Sequence, residues 1–522
     1  MTMITNSMGI FLIMCCYMAV VIGIGLFFAK RANENTEAFF LGGRTLGPWV
    51  AAMSAEASDM SGWLLMGLPG VAYFLGLSDA IWTAIGLFIG TYVNWLIVAK
   101  RLHAYSIIAG DSITIPDFFS HRYKEKKQVI MTIAAIFILI FFTVYAASCF
   151  VTVGKLFNSI FGFSYHTMMI VGAIFVIVYT FLGGFLAEST SDFMQGIVMI
   201  LALGVLLVTA VFFAGGAGAV IANLKEIPGF FTFFGIASPT LADGVQQVAE
   251  NGAPLFGEAK TYGFLTILST MSWGLGYFGV PQVLLRFMAI RKQSEIKKSR
   301  RIATVWCGIS LFSAVAIGLI GRVLYPTTLL TASDAESIFI VMATNLLPSL
   351  LAGLAMAGIL AATISSSDSY LLIAASAFSK NIFQGVIKKD ASDKQVMNVS
   401  RIVLLTISLI GIIIALDENS IIFNVVSFAW AGFGATFGPL MLFSLFWKRT
   451  TREGAIGGML AGGIMVFIWK LLLKPLGGIW GIYELLPAFL VSCIAIVLIS
   501  LLTEKPSSEI EKEFEQAKTY ED

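Results

Sequence analysis

Apolar runs long enough to cross a bilayer recur from one end of this chain to the other, and they leave its backbone few ways to fold. In hydrocarbon no water satisfies N–H and C=O groups, so each crossing must be a helix or part of a closed barrel. A helix needs about 20 apolar residues for the crossing and a tilted barrel strand about 9–11. The runs here are of helix length, which makes the expected fold class an all-α polytopic membrane protein. Composition agrees. The 522 residues are 58% hydrophobic and 12% charged, about half the charged share of a soluble domain.

Thirteen spans are expected, at roughly 8–29, 46–76, 78–99, 128–156, 167–185, 192–215, 261–289, 302–325, 348–378, 399–416, 420–447, 453–472 and 481–502. Lysine and arginine orient them. Stretches 30–45, 100–127, 290–301, 379–401 and 448–452 carry 23 of the 33 basic residues, and the alternate loops with their flanks carry six. That asymmetry puts the N-terminus outside and the C-terminus in the cytoplasm, as an odd number of spans requires. The expected setting is a plasma membrane, the inner membrane in a bacterium.

Residues 1–7, MTMITNS, look like the vector-encoded start of a β-galactosidase fragment and are set apart as a leader. The first apolar run leads straight into further spans, unlike a cleavable signal. The five cysteines fall inside spans without metal spacing, so no disulfide framework is expected. A net charge of +2 says little, and no basic, aromatic-interleaved patch points to nucleic acid. The outer loops 217–260 and 326–347 are too small to be domains. The tail, 503–522, has seven acids against three lysines and reads as a solvated cytoplasmic helix.

The span 46–76 carries the first functional signal. Glu56, Ser58, Asp59, Ser61 and Gly62 interrupt its centre. A carboxylate at bilayer depth costs roughly 2.5–3.5 kcal/mol even on lenient insertion scales. Hydroxyls that compete for backbone hydrogen bonds, followed by a glycine, suit a helix that unwinds halfway. Such a break survives only where it lines a cavity or is buried in protein. This stretch is read as an ion and substrate site.

A second interrupted span, 261–289, has Gly274, Gly276, Gly279 and Pro281 in its middle and lies five spans later. Two broken helices at corresponding places point to a transporter with inverted repeats and a midplane site. Five is odd, so the second copy enters from the opposite side. The repeats become 46–216 and 261–447, with 8–45 before them and the two helices of 448–502 after them. A packing kink is the plainer reading of the second break alone. A third polar cluster, Ser365 to Ser369 with Asp368, lies in the ninth span. Freed carbonyls from a broken helix and nearby hydroxyls are the hard oxygen donors a sodium ion takes.

At these residues the chain resembles a known family. SAEASDMSGWLLMGLPG, SWGLGYFGVPQ, ILAATISSSDSYLL, FFTVYAAS and SFAWAGFGATFGP, with LGGRTLGP and FLGGFLAESTSDFMQG, look like the sodium/proline symporters of the solute:sodium symporter family. The resemblance runs from about Phe39 to the last span. It implies the leucine-transporter fold, five plus five helices in inverted repeat, with one helix added before and two after. It also implies sodium on the backbone oxygens of Ala57, Met60 and Ala362 and the hydroxyls of Ser365 and Ser366. Asp59 matches an essential carboxylate that acts on the ion indirectly. L-Proline is implied at Ser61, Gly62, Tyr145, Trp273, Tyr277 and Pro281. Arg44 and Asp192 match residues with a gating or helix-anchoring role, and a plain positive-inside anchor fits Arg44 equally. The chain departs from the usual pattern at Val280, Gln282, Ser366 and Ser367 to Tyr370. Glu56 adds an acid beside the break, and roles for Glu56 and Asp368 are left open.

The pocket chemistry suits an imino acid. A half-helix N-terminus offers free N–H groups to a carboxylate, and aromatic faces attract an ammonium. The leading expectation is secondary active transport, sodium-driven uptake of L-proline by alternating access, with no catalysis. The same machine with another small amino acid or a monocarboxylate is the alternative. No phosphate-binding loop suggests a pump, and no obligatory protein partner is evident beyond membrane lipid.

Overall fold

The computed structural model describes residues 2–32 and 35–520. The chain is a helical bundle. A long first helix, α1 (Thr2–Ala32), opens the chain. A short α2 (Thr36–Leu41), capped by Asn35, turns the chain into the first broken span, α3 (Pro48–Asp59) and α4 (Leu68–Leu75). Next come α5 (Leu77–Val93), α6 (Ala99–Ile108), α7 (Ile115–Arg122), α8 (Val129–Phe161) and α9 (Tyr165–Phe213). The loop 217–260 holds α10 (Ala217–Lys225). The second broken span is α11 (Phe264–Met271) and α12 (Pro281–Ala289). The rest is α13 (Ile296–Leu324), the short α14 (Ala332–Ala335) and α15 (Ile338–Leu346), then α16 (Ser349–Ser376), α17 (Asp393–Ile414) and α18 (Ile422–Phe446). Last are α19 (Arg452–Ile468), α20 (Leu485–Leu502) and α21 (Ser508–Thr519).

Among the described residues, ten helices are long and apolar enough to cross a membrane. Length and apolarity therefore do not return thirteen. The three remaining expected spans are the two broken ones and the stretch at 167–185, present as the shorter apolar helix Tyr165–Phe181. That last stretch runs on into α9 across a break at Gly184, where φ is 57° and ψ −171°. Only a glycine takes that conformation without strain.

The core gathers around α16. It is buried along almost its whole length despite its five consecutive polar residues, and it packs against α9, α8, α1 and α3. The outer ring, α17, α19 and α20, turns Ile402, Leu409, Ile413, Ile464, Ile494 and Leu498 outward, as lipid-facing surfaces do.

Two expectations need correction. The chain is predominantly helical rather than all-α, because four two-residue strands pair antiparallel in the loop 217–260, 235–236 with 260–261 and 241–242 with 245–246. The acidic tail is not simply solvated. Ile510, Phe514 and Ala517 recur at i, i+4 and i+7, so α21 has an apolar stripe that its net charge conceals. That stripe is buried, and the Arg101 and Arg122 guanidinium groups lie 5.0 and 5.5 Å from the Phe514 ring. Lys124 pairs with Glu513, which holds its ammonium above the usual lysine range, and with Glu509 at 3.5 Å.

Candidate functional site

The first break begins where α3 ends. Met60 has φ −86° and ψ 68°, its N–H donates to Glu56 O at 2.9 Å, and the Ser61 N–H donates to Asp59 O at 3.1 Å. A wide turn, Trp63–Gly67, then leads into α4. Helix termination frees carbonyls of the last turn. The oxygen of Ala57 accepts from Ser365 Oγ at 2.8 Å and from Ser366 Oγ at 3.4 Å. Ser365 Oγ also donates to Ala362 O at 3.2 Å. Four of the five expected sodium donors thus meet at one point, with Met60 capping the same helix end. Two hydroxyls converging on one freed carbonyl make an all-oxygen, uncharged set that fits a hard monovalent cation.

Asp59 is buried and its carboxylate is engaged elsewhere. Oδ2 accepts from Tyr277 OH at 2.8 Å and Oδ1 from Gln282 Nε2 at 3.5 Å. Tyr145 OH reaches the backbone oxygen of Asp59 at 3.5 Å. Asp59 therefore joins the first break to the second. The second break is a tight 3-10 stretch, Ser272–Phe278, followed by Val280 in extended conformation and Pro281 opening α12. Gln282 was noted in the sequence only as a departure from pattern; its signal was its place directly after that break.

The other expected substrate residues divide. Tyr145 and Tyr277 stand at Asp59, and Tyr145 also stacks on Tyr370 with centroids 4.2 Å apart. Trp273 belongs to an aromatic stack with Trp63, Phe423 and Tyr483 at 5.5, 5.3 and 5.2 Å, and its carbonyl accepts from Trp430 Nε1 at 2.8 Å. Ser61 Oγ accepts from the Trp63 N–H at 3.3 Å. Gly62 lies so close to Thr152 that a Cβ would strike its side chain. Pro281 lines a small separate cavity with Phe40, Ile138 and Ser376. The structure does not gather all six around one point.

A second buried polar group was less legible. Arg286, on α12, pairs with Glu188 and lies 3.3 Å from Asp192 Oδ2. It also donates to Ser54 Oγ at 2.9 Å and Ser369 Oγ at 2.8 Å. Ser54 Oγ in turn donates to Asp192 at 2.6 Å, and Ser369 Oγ to Glu188. Asp192 therefore ties α9 to α3 and α12, which is an anchoring geometry. Arg286 and Glu188 were not singled out, although a charge within an apolar span was signal enough. Glu56 accepts from Thr91 Oγ1 at 2.9 Å and Trp95 Nε1 at 3.4 Å, linking α3 to the helix beside it. Asp368 Oδ1 accepts from the Ser369 N–H at 2.8 Å. Arg44 donates to Met288 O at 2.7 Å, Ser112 O at 2.8 Å and Ser106 Oγ at 3.0 Å, and pairs with Asp111. It fastens the entry to α3 against the end of α12.

A membrane bundle with two broken helices, joined by a buried carboxylate and faced by oxygen donors from a third helix, has the build of a secondary transporter. Comparison with known proteins agrees. Residues 39–462 match the Sodium:solute symporter family. The chain is 40% identical over 514 residues to the sodium/proline symporter of Staphylococcus aureus strain USA300 / TCH1516, covering 97% of this chain and 95% of that one. Among solved structures it resembles a Na+-coupled sialic acid symporter in a substrate-bound outward-open state, with TM-score 0.76 and 18% identity over 96% of this chain and 99% of that one. A nucleobase-cation-symport-1 family transporter in a closed conformation follows, with TM-score 0.51 and 11% identity over 91% and 98%. The chain belongs to the sodium:solute symporter family.

Proposed function

We propose that this protein couples inward movement of sodium to uptake of L-proline across the plasma membrane, by alternating access. The observation that carries the reading is the convergence of Ser365 and Ser366 on the freed carbonyl of Ala57, two residues before Asp59 and its bridge to Tyr277. Ala57, Met60, Ala362, Ser365 and Ser366 would hold sodium, and Asp59 would act through the position of the break. Ser61 and Gly62 would present the start of the next half-helix to the proline carboxylate. Tyr145, Trp273, Tyr277 and Pro281 would shape the pocket. Arg44 and Asp192 would fasten the helices that part when the inner side opens.

The thirteen-span arrangement, with the N-terminus outside, completes this reading. It places repeats at 46–216 and 261–447 and flanking helices within 8–45 and 448–502. The 40% identity to a sodium/proline symporter supports the cargo. The test is uptake of radiolabelled proline into proteoliposomes under an inward sodium gradient, with unlabelled amino acids and short monocarboxylates as competitors. Uptake that needs sodium and yields only to proline is expected. Sodium-dependent uptake of a different competitor would keep the machine and replace the cargo.

A further inference from the structure

Between α5/α6 and the start of α13 lies a cavity of about 470 Å³, lined by Trp95, Leu96, Lys100, Gln293, Lys297 and Arg300 among others. Three of these are cations. Only some cations on the basic loops are matched by acids, among them Lys124 by Glu513, Arg291 by Glu295 and Arg452 by Glu125. Among the described residues, Lys100, Lys297 and Arg300 form no ion pair. Arg300 lies over the Tyr92 ring at 5.5 Å, and the nearby acid, Glu295, is held by Arg291. The back wall is fixed, since Gln293 Nε2 donates to Lys100 O at 3.2 Å.

From Leu96, at the cavity's edge, an exposed apolar surface continues along the helix. Ile89, Tyr92 and Leu96 are 47%, 42% and 44% exposed, at i, i+3 and i+7 along the helix that then reaches Lys100. A soluble anion would have no use for that stripe, whereas the acyl chain of a lipid would cover it. A positive-inside bias scatters lysine and arginine on this side of a membrane. It does not by itself bring three cations around one cavity beside an exposed apolar stripe. Basic pockets between spans at the membrane surface bind phosphorylated headgroups.

We propose that this cavity binds the headgroup of an anionic phospholipid, its phosphate lying among Lys100, Lys297 and Arg300 and an acyl chain along Leu96, Tyr92 and Ile89. The site touches the transport machinery. Trp95, in the cavity wall, donates its indole N–H to Glu56 on α3, one turn before Asp59.

Native mass spectrometry of the purified full chain, with phosphatidylglycerol and phosphatidylcholine of matched chains, tests the proposal. One triple variant carries Lys100→Gln, Lys297→Gln and Arg300→Gln. A charge-matched control carries Lys388→Gln, Lys389→Gln and Lys394→Gln. Wild type and control are expected to retain phosphatidylglycerol over phosphatidylcholine, and the cavity variant to lose that preference on the order of tenfold. Equal loss in both triples, or none in the cavity variant, overturns the site. Displacement of phosphatidylglycerol by millimolar glycerol phosphate would make it a soluble-anion site and overturn the lipid. If the triple variant does not purify folded, Lys297→Gln and Arg300→Gln singly carry the test, each expected to lose a few-fold and overturning the site if neither does.

Discussion

The two broken helices use one topological device for different ends. The first break is short and polar, and its product is a freed oxygen, the Ala57 carbonyl that Ser365 and Ser366 share. The second is glycine-rich and aromatic, and its product is close approach. Gly274 lies against the backbone of Gly86 and Gly90, and Gly276 against the Trp430 indole. One break frees an oxygen and the other lets helices touch. Asp59 bridges them through Tyr277, so a change at one break is felt at the other.

Asp59→Asn should break this relation most completely. It keeps the shape and removes the charge, so sodium-driven uptake should fall to near background while the protein still purifies as a folded membrane protein. Normal sodium dependence in the purified variant would remove Asp59 from the mechanism. Tyr277→Phe deletes one donor to that carboxylate. A hydrogen bond to a charged group contributes about 1.5–3 kcal/mol, so uptake at saturating sodium should drop at least tenfold, and Tyr277→Phe should add little on top of Asp59→Asn. Additive effects would mean that the bridge does not act as a unit.

Gly274→Ala probes the second break for packing rather than chemistry. Its Cβ would meet the Gly86 carbonyl oxygen, and overpacking costs about 1–3 kcal/mol. A lower melting temperature is expected in the purified protein. Ser61→Ala at the first break should leave it nearly unchanged. Equal losses would erase the distinction between the two breaks.

Much of this was legible in the sequence, for identifiable reasons. The apolar runs dictated helices because hydrocarbon leaves the backbone no alternative. Asp59 and the Ser365–Ser369 run stood out because polar groups at that depth are costly. Residues whose role depends on a partner far away in sequence stayed hidden. Gln282 matters because it comes within 3.5 Å of Asp59, and Arg286 because Glu188, Asp192, Ser54 and Ser369 close around it. The tail misled because its charge dominates its composition while Ile510, Phe514 and Ala517 decide where it docks. Length and apolarity return ten helices rather than thirteen because two expected spans are broken and the helix Tyr165–Phe181 is short, set off from its neighbour by Gly184.

The smallest expected effect is at the proposed ion donors. Ser365 and Ser366 share the Ala57 carbonyl, so Ser366→Ala should remove one neutral contact of about 0.5–1.5 kcal/mol. The sodium concentration for half-maximal uptake should rise up to about tenfold, with saturating uptake little changed. Unchanged sodium activation would return both serines to packing.

The central claim is that one stretch, the end of α3 from Ala57 to Asp59 and the unwound Met60 to Gly62 after it, serves ion and cargo together. Ordering by one then lowers the cost of binding the other, and linkage makes the benefit reciprocal. Isothermal titration of the purified protein with L-proline, in sodium and in a non-binding cation such as choline, measures that coupling directly. Tighter proline binding in sodium is expected, by about 5- to 150-fold for a coupling of about 1–3 kcal/mol. The same affinity in both salts would contradict the shared segment.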